Sequence, residues 1–139
     1  MSLSVMIVGT VEEDDAEKPL FGRFPWTIHR VTSCLGFLMH VFRLRPEVVI
    51  CGEELPDGTW KDILGVVATL YSAPPVIVIS KLADDNLWAE VLALGGYDAL
   101  TEPLDPEEVR RVVEMAGVLS VRLRRTADDP LSPDDAMAT

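Results

Sequence analysis

Two runs of consecutive apolar residues, Val48-Val49-Ile50-Cys51 and Val76-Ile77-Val78-Ile79, do most to limit what this chain can fold into. Each follows closely on a proline, Pro46 or Pro75, and each has the length of a strand, not of a core helix. β-Branched residues on successive positions describe strands covered on both faces. Such strands belong to parallel sheets, and a parallel sheet needs helices above and below it. The chain must therefore supply helices between its strands.

It does so in regular alternation. Strands read at Ser4–Val8, Trp26–Val31, Glu47–Cys51, Val76–Ile79 and Tyr97–Thr101. Between the first two, the acidic cluster Glu12-Glu13-Asp14-Asp15 suits a first helical turn, but Pro19 and Gly22 predict a short, displaced or irregular helix within 11–25. Thr32 can cap a second helix, with Leu35, Leu38, Met39 and Phe42 as its buried face. A Leu55-Pro56-Asp57-Gly58 turn leads to Thr59-Trp60-Lys61-Asp62, a capping box with Asp in place of Glu, and to a stripe of Trp60, Ile63, Leu64, Val67 and Leu70. Asp84 or Asp85 caps a fourth helix bearing Leu87, Trp88, Val91 and Leu92, which Gly95-Gly96 ends. Asp105-Pro106 opens the last helix, with Val109, Val112, Val113, Ala116 and Leu119 inward and Arg110, Arg111, Arg122, Arg124 and Arg125 outward. With right-handed crossovers, the expected fold is an α/β, flavodoxin-like (βα)5 three-layer sandwich. Its five-stranded parallel sheet has the order 2-1-3-4-5, and its site lies at the carboxyl ends of the strands.

The 139 residues suit one domain, spanning 1–125, and 48% of them are hydrophobic, enough for a packed core. Twelve basic residues against 23 acidic give a net charge of −11, which repels phosphate backbones and anionic lipid, so neither nucleic acid nor membrane is an expected partner. The stretch 126–139 holds four Asp and no basic residue, and reads as an unpacked acidic tail that leaves no room for an output domain. Cys34 and Cys51 lack metal-like spacing, and a buried, inert thiol is the reading for Cys51. His29 and His40 stand apart and read as surface or half-buried residues rather than ligands. No apolar run reaches membrane-spanning length and no secretory leader is visible, so a cytoplasmic protein without cofactor or metal is expected.

Two windows carry a resemblance. One is the window around Leu55-Pro56-Asp57-Gly58, in the stretch from Pro46 to Gly58; the other runs from Pro75 to Leu104 through Pro-Val-Ile-Val-Ile-Ser, Ala-Leu-Gly-Gly-Tyr-Asp-Ala-Leu and Glu-Pro-Leu-Asp. Together they resemble the receiver domains of two-component response regulators, and the likeness extends from about Ser4 to Arg125. In that family an Asp ends the third strand and accepts a phosphoryl group; the resemblance puts that position on Gly52. The two acids that hold Mg²⁺ fall on Gly9 and Thr10, the hydroxyl on Ser80, the lysine on Glu102 with Pro103 after it, and the switching aromatic on Ala99. Tyr97 is placed on the same face as Ala99 by strand alternation. Glu53 is the nearest substitute nucleophile, and alternation sends its side chain to a different side from position 52.

The resemblance therefore implies a stand-alone pseudo-receiver in phosphorelay signalling, not an enzyme, acting by protein contact without phosphoryl acceptance. Its implied partners are signalling proteins, a sensor kinase or another response regulator. The implied surface, which could also serve a homodimer, is the fourth helix, fifth strand and fifth helix, with Trp88, Tyr97 and Arg111 among its residues. The residues support blander roles as well: Ser80 as a turn residue, Trp88 as core, and the basic group Arg30, His40, Arg43 and Arg45 as a solvated face. The alternative function is a small-ligand sensor, its pocket lined by Gly9, Gly52, Ser80 and Glu102.

Overall fold

A computed structural model describes residues 2–11 and 19–128, the last four as backbone. The acidic cluster from Glu12 to Asp15 and the residues 129–139 lie outside the described residues. Five strands form one parallel sheet: β1 (Ser4–Val8), β2 (Thr27–Val31), β3 (Val48–Gly52), β6 (Val76–Ser80) and β7 (Asp98–Thr101), in the order β2-β1-β3-β6-β7. This is the order 2-1-3-4-5 expected from the sequence. A small antiparallel hairpin, β4 (Glu54–Leu55) and β5 (Gly58–Thr59), follows β3 around the Pro56-Asp57 turn. The helices are α1 (Cys34–Leu44), α2 (Trp60–Val67), α3 (Asp85–Ala93) and α4 (Pro106–Asp128). Before β2 the described chain makes a single 3-10 turn, Leu20–Arg23.

The register explains why consecutive apolar residues were needed. Ile7 pairs with Ile50 and Ile50 with Ile77, so one row of side chains crosses the central strands. Val5, Ile7, Val48, Ile50, Ile77 and Ile79 face a core closed by Val109, Val112, Val113 and Ala116 of α4, with Leu20, Phe21 and Trp26. Met6, Val8, Val49, Cys51, Val76 and Val78 face the other way, onto α1, α2 and α3. At roughly 1.5–3 kcal/mol for each large apolar side chain fully buried, these two layers supply the main driving force for folding.

Three expectations need correction. In α1 the stripe Leu35, Leu38, Met39 and Phe42 faces out, and Phe37 and Val41 are buried instead. Almost every residue of α1 is apolar, so periodicity allowed two inward faces. The entry of the chain decides between them. Ser33, not Thr32, is the N-cap, its hydroxyl accepting from the Gly36 amide, and a Cβ at Gly36 would already touch Val31 of β2. Second, Trp88 and Leu92 of α3 and Leu119 of α4 are exposed, not core; the buried Val91, with the half-buried Leu87, carries the inward side of α3. Third, Tyr97 and Ala99 pack on opposite sides of the sheet, Tyr97 against the α4 side and Ala99 against the other. Tyr97 precedes β7, in the turn after Gly95 and Gly96, and alternation does not extend past a strand's end.

Candidate functional site

The strand ends converge at the carboxyl edge of the sheet, where open α/β folds place their sites. Gly9 and Thr10 follow β1, Gly52 ends β3, Ser80 ends β6, and Glu102 and Pro103 follow β7. Backbone bonds hold them together: the Glu53 amide donates to Ile79 O at 3.0 Å, and the Glu102 amide to Ser80 O at 2.9 Å. A Cβ at Gly52 would lie 3.5 Å from Thr10 O and 3.8 Å from Val8 O, so positions 10 and 52 are neighbours. The sequence-derived positions thus share one edge.

The chemistry at that edge is acidic. Ser80 is buried, and its hydroxyl donates to the Glu53 carboxylate while accepting from the Leu82 amide at 3.1 Å. Ser80 accordingly does the turn-closing work of a serine after a strand, and also binds a carboxylate. Alternation had sent Glu53 elsewhere. The strand stops at Gly52, however, and Glu53 lies in the turn toward β4, from which its side chain returns to the end of β6. Nothing in the residue pattern marked this contact. Glu102 is half-buried beside the same hydroxyl-bearing strand end, and the Glu102-Pro103 peptide is cis.

Gly9 is held in a different way. Its φ is +86°, a conformation L side chains rarely adopt, and a Cβ there would stand 2.6 Å from Leu55 Cδ2. Leu55 thus stands directly over Gly9, while Glu53 turns back to Ser80. A hollow of about 410 Å³ lies elsewhere, lined by Phe42, Arg45, Thr69, Tyr71 and Arg124 among others. Among the described residues there is no group of three His, Cys, Asp or Glu placed to hold a metal ion.

The remaining singled-out residues are easily located. Cys51 is buried, and burial pushes its thiol up to about 12, with the nearby Cys34 adding to the effect. At neutral pH it is a protonated, inert thiol. Burial and Asp57 likewise raise Cys34, to about 11. His29 and His40 are half-buried, and His40 Nδ1 lies 3.2 Å from Arg43. Trp88, Tyr97 and Arg111 come together: all three line one concavity of about 270 Å³ between α3, β7 and α4, with Leu92 and Met115. Trp88 is 49% exposed, its indole nitrogen donating to Asp98 at 3.2 Å. That carboxylate also accepts from the Ala99 amide, so the ring is oriented by β7.

The sequence marks Asp57 as a turn residue and gives no sign of its second role. From the β4–β5 turn its two carboxylate oxygens accept from the amides of Cys34, at 2.7 Å, and Leu35, at 3.0 Å. It caps α1 from more than 20 residues away. Those two bonds hold its carboxyl below the ordinary carboxylate range.

No family model matches the chain. It is similar over 85 residues, at 26% identity, to the luminescence regulatory protein LuxO of Vibrio campbellii, a match covering 61% of this chain and 19% of the relative. It is 22% identical over 102 residues to the DNA-binding transcriptional regulator NtrC of Proteus hauseri, covering 66% of this chain and 22% of that protein. The chain thus spans about a fifth of the length of these curated relatives. Among solved structures, the signal receiver domain of a LuxO repressor protein from Vibrio parahaemolyticus superposes with a TM-score of 0.74 at 19% identity, covering 93% of this chain and 99% of that one. The chemotaxis response regulator CheY4 of Vibrio cholerae superposes with a TM-score of 0.68 at 15% identity, covering 84% and 99%.

Proposed function

Because the chain has the receiver fold of two-component response regulators, we propose that it is a pseudo-receiver: a cytoplasmic signalling domain that works by protein contact and neither accepts a phosphoryl group nor catalyses a reaction. The observation that carries this reading is Gly52 at the end of β3, followed directly by Glu53, which is bonded to Ser80. Phosphoryl transfer needs a nucleophile, oxygen ligands for Mg²⁺ and positive charge around the transferred group. Glycine offers no nucleophile, Gly9 and Thr10 offer no carboxylate, and Glu102 brings negative charge where a cation would be required. Glu53, the residue after Gly52, is bonded to Ser80. The same contact, with Leu55 over Gly9, weighs against a small-ligand pocket at the strand ends.

The working surface in this reading is the concavity of α3, β7 and α4. Trp88 is a large ring already held in place, and Arg111 lies across from it. Preorganised aromatic and arginine anchors are the usual centres of binding energy. The partner is a sensor kinase or another response regulator, and the net charge of −11 keeps nucleic acid and anionic membrane away. Two measurements test the proposal. Incubation with acetyl phosphate and Mg²⁺ is expected to leave the intact mass unchanged; an added phosphoryl group removed by hydroxylamine would refute the reading. Pull-down with the cognate kinase is expected without any phosphodonor, weakened about tenfold or more by Trp88→Ala and by Arg111→Ala.

A further inference from the structure

α1 is apolar on two faces, and the protein's interior uses one of them. Phe37 and Val41 enter the core, while Leu35, Leu38, Met39 and Phe42 stand in solvent at 60%, 46%, 66% and 59% exposure. Large apolar side chains gathered on consecutive turns mark an association surface. Their spacing, i, i+3, i+4 and i+7, is that of a seam between two helices.

Charge indicates what covers it. At the N-terminal end of α1 stand two carboxylates: Asp57, bonded to the Cys34 and Leu35 amides, and Asp62, close enough to raise the Cys34 thiol as Asp57 does. At the C-terminal end stand three guanidinium groups. Arg43 and Arg45 are exposed, and Arg124 reaches over from α4 to donate to Arg45 O at 2.7 Å. The outer face is therefore acidic at one end, apolar along its middle and basic at the other. A two-fold axis through Leu38 and Met39 would reverse that order. It would lay each acidic end on the other copy's basic end, and each Leu35 beside the other copy's Phe42. Self-complementarity of this kind is what an interface between identical copies requires.

We propose that the outer face of α1 is a homodimer interface, formed by two antiparallel α1 helices meeting at Leu38 and Met39. Arg45 fits the same arrangement. Its φ is 45°, a left-handed conformation at a helix end where glycine is the ordinary residue. An arginine tolerated there has a use for its side chain, and in the dimer that side chain faces the acidic end of the other copy. The Trp88 concavity belongs to α3, β7 and α4, so pairing through α1 leaves it open, and the inference does not depend on the pseudo-receiver reading.

Sedimentation velocity of the intact chain across a wide range of concentration tests the proposal. A monomer–dimer equilibrium is expected, weaker in high salt. Met39→Glu sets two like charges together at the axis and should weaken the dimer by about a hundredfold or more. Because Met39 is exposed, circular dichroism should show an unchanged fold. Met39→Cys is expected to cross-link two copies under mild oxidation, while Leu92→Cys on α3 and the parent chain with Cys34 and Cys51 are not. A monomer at every concentration overturns the proposal. So does a dimer that survives Met39→Glu, or one that cross-links at position 92 and not at 39.

Discussion

Ser80 and Glu53 show how one residue's place in a strand decides its chemistry. The Ser80 hydroxyl uses both of its capacities, donating to a carboxylate and accepting from the Leu82 amide. A serine after an apolar strand could be read in advance as a turn residue. Its carboxylate partner could not, because alternation counts only while a strand continues, and β3 ends one residue before Glu53. Removing the hydroxyl leaves the Leu82 amide and a half-buried carboxylate short of a partner. Ser80→Ala is accordingly expected to lower the unfolding free energy by about 1–3 kcal/mol, measured by urea denaturation. An unchanged midpoint would mean that water replaces the hydroxyl at no cost.

At the scale of the element, α1 holds both the least legible and the most consequential feature of the chain. Its helical character followed from the sequence, but its cap fell on Ser33 and not Thr32, and its facing did not follow, since Leu35-Leu38-Met39-Phe42 and Phe37-Val41 are rival stripes of equal standing. The phase is set from outside by Ser33 and by Asp57, whose turn belongs to another part of the chain. α2 was legible almost to the residue, because its capping box is local and its apolar residues leave one choice of face. The Asp57 cap has a pH signature. Two amide bonds depress the folded-state pKa, so the stabilisation is present above the unfolded value and is lost as pH falls through the folded one. Stability measured by urea between about pH 5 and pH 3 should decline more steeply in the parent chain than in Asp57→Asn, which carries no titrating group there. Equal slopes would show that the cap contributes nothing as a charge.

The whole molecule is two apolar layers on one sheet, tied at the edges by a few polar contacts. Its topology was legible because two central strands with apolar residues on successive positions, set in a regular alternation of strands and helices, admit few other solutions. The packing of individual aromatics, such as the exposed Trp88 and the displaced Tyr97, depends on where strands and helices stop. Arg124 is one of the ties. From the far end of α4 its guanidinium donates to Arg45 O and Pro46 O, joining the helix that closes one layer to the start of β3. Arg124→Ala is expected to cost about 1–3 kcal/mol in chemical denaturation, the usual range for bonds from a charged donor. Lysine at 124 should restore part of this, since both bonds come from a single guanidinium nitrogen and an ammonium can also donate twice. Full stability in the alanine variant would remove Arg124 from the list of ties.

Under the proposed pseudo-receiver reading, Leu55 standing over Gly9 bears on what the chain can become. An aspartate at position 9 would meet Leu55 and a backbone that L side chains rarely adopt. An aspartate at 52 alone would have no metal to serve. Lysine at 102 alone would answer a phosphoryl group that never arrives. Each change is neutral or harmful until the others are present, and position 9 also demands a new loop. On the pseudo-receiver reading proposed above, such a chain has no downhill road, one substitution at a time, to a phosphorylated switch, while its binding surface stays free to change.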